Sequence, residues 1–175
     1  MIPYGRQDIT ENDIEAVTEV LRSDYLTQGP VVPRFEATIS SYVTAKHAVA
    51  VNSATSALHL ACLALGLGPG DWLWTTPITF VASANCGLYC GANIDFVDID
   101  PQTYNLCPKS LEARLAAAES EGRLPKVVVA VHLCGLGATV SASLRTRHMP
   151  SAGPIKVQKL VAAITATLQC SAFIR

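Results

Sequence analysis

Apolar residues recur at helical spacing near the start of the chain, where Ile14, Val17, Val20 and Leu21 share one face and Thr10 with Asp13 supplies a capping signal. This predicts a helix through Leu21. A loop rich in turn chemistry, Asp24-Tyr25-Leu26-Thr27-Gln28-Gly29-Pro30, separates it from a second helix marked by Phe35, Ile39 and Tyr42. The β-branched run Val49-Ala50-Val51 then meets Asn52-Ser53-Ala54-Thr55-Ser56 and a helical apolar pattern. It reads as strand, tight turn and helix start. Beyond a loop at Gly66–Asp71, the pattern predicts a strand at Trp72–Thr75, a helix that follows Pro77 and runs through Cys90, and a strand at Ile94–Ile99. A helix at Lys109–Glu121 follows, and Lys126–Leu133 is an apolar run fit for a strand buried on both faces.

Strands alternating with helices imply βαβ units, so the expected class is α/β, a three-layer α/β/α arrangement around a mostly parallel sheet. Ligands of such sheets sit beyond the carboxyl ends of the strands. The turn at 52–56, the segment after Thr75 and the loop after Ile99 all fall on that edge. At the turn, unpaired N–H groups at the positive end of a helix dipole stand beside the hydroxyls of Ser53, Thr55 and Ser56, which suits a phosphate. An ordinary N-cap has the same spelling.

Composition narrows the classes. At 175 residues with half of them apolar, the chain can hold one domain with a sizeable core. The longest apolar run is too short to span a bilayer and the N-terminus has no basic-then-apolar signal pattern, which predicts a cytoplasmic protein without membrane contact. The six cysteines form no CxxC pair, and buried thiols are the expected reading rather than disulfides or zinc. Neither GxxxxGK[ST] nor GxGxxG is present, which weighs against a nucleotide enzyme of those types. A net charge of −1 argues against nucleic acid as a partner, yet the charge is unevenly spread. All 14 acidic residues precede position 122, and residues 136–175 hold five basic residues and no acidic one.

The runs YGRQDIT, LTQGPVVPRFE, HAVAVNSATSALHLACLALGLGPGD, TTPITFVASAN and IDFVDIDPQTYNL, in that order, resemble the opening of the DegT/DnrJ/EryC1/StrS sugar aminotransferases that use pyridoxal 5′-phosphate (PLP). Within that family the resemblance is to the group acting on a UDP-linked 4-keto-6-deoxy amino sugar on the route to pseudaminic acid. It covers residues 2–135 and implies the first part of the large domain of a fold-type-I PLP enzyme, a homodimer in the family. Ala54, Thr55 and Ser56 would bind the PLP phosphate, and Phe80 would lie against the pyridine ring; for Phe80 taken alone, plain core packing is the alternative. Tyr4 and the loop Asp24, Tyr25, Leu26 and Thr27 would touch the nucleotide sugar, and Asn85 would face the site. The amino donor would be an amino acid such as glutamate.

A PLP aminotransferase also needs a Schiff-base lysine and a carboxylate on the pyridine nitrogen. In the family these follow VHLCG, where this chain reads LGATVSASLRTRHMPSAGPIKVQKL onward; Lys156 and Lys159 stand there in no family context. Rewritten as degenerate codons and regrouped in a shifted frame, the tail from Thr139 permits YGFRIIEDASHAIGG and later YSDITVFSFHP. These strings resemble the family's next motifs, and the shifted frame also accommodates a stop after Arg175. The expectation is therefore a deletion near codon 136 that is not a multiple of three bases. Residues 136–175 would be an out-of-frame tail and the chain an inactive, truncated fragment, the alternative being a non-catalytic module that still binds phosphate or a nucleotide sugar.

Overall fold

The computed structural model describes residues 8–138, in two compact units, the first with residues 8–52 and the second with residues 53–138. The first unit holds α1 (Glu11–Arg22) and α2 (Val31–Tyr42). A capping box starts α1: the Thr10 hydroxyl accepts from the Asp13 N–H, and the Asp13 carboxylate accepts from the Thr10 N–H at 2.8 Å. Those bonds hold the Asp13 carboxyl below its ordinary range, the Thr10 backbone contributing most. The next helix, α2, has no side-chain cap and follows Pro30. No residue of the first unit's described part is buried.

The second unit contains α3 (Ala54–Ala64), β1 (Trp72–Thr75), α4 (Ala82–Tyr89), β2 (Asn93–Phe96), α5 (Pro108–Glu121) and β3 (Val127–Val128). The sheet is parallel, with β1 between β2 and β3. Successive strand side chains point to opposite faces, and that alternation sorts the layers. Leu73 faces α4 with Ile94, whereas Trp74 joins Val97, Leu106 and Val128 under Leu111, Leu115 and Ala118 of α5. The second face of α4 packs on α3. There Cys62, Cys86 and Cys90 are buried, and an edge contact sets the His59 and Tyr89 rings 5.4 Å apart. Among the described residues, no helix is long and apolar enough to cross a membrane.

Local signals shape the helix ends. Pro108 opens α5, and Gly122 closes it with φ at 66°, a left-handed conformation that glycine adopts without strain. Where α4 crosses the sheet, a Cβ on Gly87 would come within 2.5 Å of Ile94 Cδ1 and 3.1 Å of Leu73 Cβ. The Gly87→Ala substitution is accordingly expected to cost about 1–3 kcal/mol by overpacking, read as a lower urea midpoint with an unchanged m-value. The loop into β1 is tied by Lys126, whose Nζ donates to Asp71 Oδ2 at 2.8 Å and to the Gly66 carbonyl at 2.7 Å. Lys126, followed by the Gly68 N–H, keeps the Asp71 carboxyl below the usual carboxylate range.

Four expectations change. Val49–Val51 forms no strand: Val49 is exposed and the Ala50 N–H donates to Glu36 Oε1 at 2.8 Å. Extended chain becomes a strand only beside another, and no described segment lies along this one. The helix after Pro77 begins at Ala82, because Thr76 and Ile78 form a turn and the Thr79 hydroxyl bonds that of Ser83 first. The strand from Ile94 ends at Phe96, since Ile99 swings out to bridge Leu106 antiparallel and the Asp100 carboxylate caps Gln102 and Thr103. The buried run from Lys126 pairs as a strand only at 127–128, flanked by bonds from the Lys126 N–H to the Trp72 carbonyl and from the Val129 N–H to the Trp74 carbonyl; residues beyond Val129 meet no strand because β1 ends at Thr75.

Candidate cofactor site

The hydroxyl-rich turn read from the sequence sits at the start of α3. Ser53 is the N-cap, its Oγ accepting from the Ser56 N–H at 3.1 Å and lying 3.0 Å from the Ser56 Oγ. The first in-helix bond runs from the Ala57 N–H to the Ser53 carbonyl. One of the first-turn donors is thus satisfied by the cap, and the N–H groups of Ala54 and Thr55 have no acceptor among the described residues. Ala54, Thr55 and Ser56 are half-buried. The turn is an N-cap, and beside it two N–H groups and the Thr55 and Ser56 hydroxyls stand at the positive end of an 11-residue helix.

Phe80 lies between β1 and α4, past the carboxyl end of the central strand, and is 59% exposed. Its ring is available to a flat ligand rather than used in the core. Asn85 is half-buried on α4. Asp24, Tyr25, Leu26 and Thr27 are all exposed in the α1–α2 loop of the first unit, and Tyr4, Lys156 and Lys159 lie outside the described residues.

The carboxyl edge is stiffened by polar bonds that the sequence reading did not single out. The Thr75 hydroxyl donates to the Val129 carbonyl at 3.0 Å, fully buried. Asn105, 3% exposed, accepts from the Leu133 N–H at 2.9 Å and donates to the Leu136 carbonyl at 2.8 Å, closing both ends of the short 3₁₀ turn Leu133–Gly135. Its signal was a lone amide set between Tyr104 and Leu106 at the start of an apolar stretch. In the same loop, His132 Nδ1 accepts from the Ala138 N–H at 2.7 Å, and burial pushes the imidazole pKa down. Both effects favour the neutral ring.

Known proteins resemble this arrangement. The family model described as the DegT/DnrJ/EryC1/StrS aminotransferase family matches residues 7–148. The spore coat polysaccharide biosynthesis protein SpsC of Bacillus subtilis is 43% identical over 143 residues, 82% of this chain and 35% of its own length. A UDP-4-amino-4,6-dideoxy-N-acetyl-beta-L-altrosamine transaminase of Campylobacter jejuni is 48% identical over 115 residues, 66% of this chain and 30% of its own. A Streptococcus pneumoniae protein described as a sugar aminotransferase, solved in its PLP form, superposes with a TM-score of 0.71 at 35% identity, covering 78% of this chain and 33% of that one. The chain thus spans about a third of the length of the relatives it matches. On the strength of the family match and of the parallel sheet with its flanking helices, the chain belongs to the DegT/DnrJ/EryC1/StrS aminotransferase family.

Proposed function

We propose that residues 1–135 are the cofactor-phosphate portion of a PLP-dependent aminotransferase that moves an amino group from an amino acid, glutamate by preference, to a UDP-linked 4-keto-6-deoxy sugar. The carrying observation is the α3 turn, where the N–H groups of Ala54 and Thr55 have no acceptor among the described residues and stand beside two hydroxyls. That donor set fits a phosphate monoester, whose oxygens accept only. In this reading Ala54, Thr55 and Ser56 hold the phosphate, the exposed Phe80 ring covers one face of the pyridine, and Asn85 lines the site. Tyr4 and Asp24–Thr27 serve the nucleotide sugar. Bound PLP would supply the electron-withdrawing ring that amino-group transfer requires.

Taken alone, the 175 residues bind without catalysing. The family's lysine motif is not spelled in residues 136–175, which we read as out of frame; sequencing codons 130–180 tests that reading directly. Binding is tested by titrating the chain with PLP and with pyridoxal, which lacks the phosphate, in equilibrium dialysis. PLP is expected to bind saturably and at least about tenfold more tightly than pyridoxal, a difference of about 1.4 kcal/mol. Equal affinities would overturn the phosphate assignment. With PLP and glutamate added, 2-oxoglutarate should form no faster than in the same mixture of PLP and glutamate without the chain; faster release would overturn the non-catalytic reading.

A further inference from the structure

The seam between α3 and α4 holds three thiols that the cofactor site does not use. Cys62 of α3 and Cys86 of α4 are 1% and 0% exposed, and Cys90, the C-cap of α4, is 9% exposed. The Cys62 thiol hydrogen-bonds the Cys86 sulfur from the facing helix, and Cys86 Sγ donates to the Ser83 carbonyl at 3.3 Å. Buried thiols usually act as small apolar groups. Here the two are unequal: the bond from Cys62 pulls the Cys86 thiol below its ordinary range against the opposing effect of burial, while the same bond pushes Cys62 up. Cys86 is therefore the sulfur that gives up its proton, and Cys62 the one that keeps it.

Geometry selects the partner. Cys86 and Cys90 stand four apart along one helix, where Cβ atoms lie about 5–6 Å from each other, too far for a disulfide, which needs about 3.5–4.5 Å. Cys62 meets Cys86 from a second helix and is free of that restriction. We propose that Cys62 and Cys86 are a peroxide-sensitive pair whose oxidation staples α3 to α4. The Cys86 thiolate attacks one oxygen of hydrogen peroxide, the O–O bond breaks, and a sulfenic acid and hydroxide result. That hydroxide takes the Cys62 proton, the Cys62 sulfur attacks the Cys86 sulfur, and the S–O bond breaks. The hydroxide released takes up the proton that Cys86 first lost, so two thiols and one peroxide give one disulfide and two waters. Peroxide is little larger than water and reaches the pair through a local opening of the seam at its Cys90 end. The inference rests on helix packing and not on the cofactor assignment, so either can fail without the other.

The test treats the full 175-residue chain with hydrogen peroxide, alkylates the remaining thiols and digests it unreduced with chymotrypsin, which cuts between the two cysteines at Trp72, Trp74 and Phe80. The expected main product is a peptide pair linked through Cys62 and Cys86, with a melting temperature of the intact chain about 5 °C higher that dithiothreitol reverses. In concentrated urea the same dose should link cysteines without that preference. With dimedone, which traps sulfenic acids, Cys62→Ser should be labelled at Cys86 and Cys86→Ser should not be labelled at Cys62. The linked peptide is read on the unsubstituted chain and does not depend on the variants folding. Cys62 and Cys86 both recovered alkylated, either one linked mainly to another cysteine, or the same preference in urea would overturn the proposal. Dimedone on Cys62 of Cys86→Ser would overturn the order of the two steps.

Discussion

The Leu73→Ala variant is expected to lose about 2–5 kcal/mol of stability, which is enough to leave a marginally stable fold largely unfolded at room temperature. Leu73 is fully buried in the central strand, paired with Ile94 on one side and Val127 on the other. Its side chain fills the shallow space over which Gly87 lets α4 approach the sheet. Truncation leaves a void there, and α4 cannot settle into it without dragging Cys86 from its packing against α3. Urea unfolding followed by Trp72 and Trp74 emission measures the loss. A cost below about 1 kcal/mol would mean that α4 and the sheet are far less tightly joined than the packing indicates.

The Asn105→Ala variant is expected to lose about 2–4 kcal/mol, nearly as much, and for a different reason. The side chain contributes little apolar area, yet it satisfies one N–H and one carbonyl at the two ends of the 133–136 turn. Removing it leaves both groups short of a partner at about 1–3 kcal/mol each, reduced where water reaches them. Asn105→Leu should do no better, because added apolar volume cannot replace two hydrogen bonds. The stability loss should come with faster amide exchange at Leu133, whose N–H donates to Asn105; unchanged protection there would contradict the assigned bond.

What could be read from the sequence follows how locally each feature is determined. The start of α1 was legible because Thr10 and Asp13 lie three residues apart, and α5 because Leu111, Leu115 and Ala118 repeat at helical spacing. Strand lengths were not, since β3 can be only as long as four-residue β1 allows, a fact written 50 residues away. The Val49–Val51 run shows the same limit more sharply: its composition is that of a strand, and composition supplies no neighbour. At the candidate site, the hydroxyl-rich turn of α3 was visible as local spelling, whereas the role given to Phe80 came from the family resemblance alone. The Asn105 clamp was invisible because its partners are backbone groups about 30 residues on.

The order of strands also bears on how the chain is made. Thr75 and Val129, joined by a buried hydrogen bond, are 54 residues apart, and a ribosome adding 5–20 residues per second needs about 3–11 s to travel between them. During that interval β1 can pair only with β2, and the indole of Trp74 waits for α5 to cover it. A nascent chain of this kind presents its central strand before the shelter for it exists, which makes the β1–β2 intermediate the species a chaperone would meet.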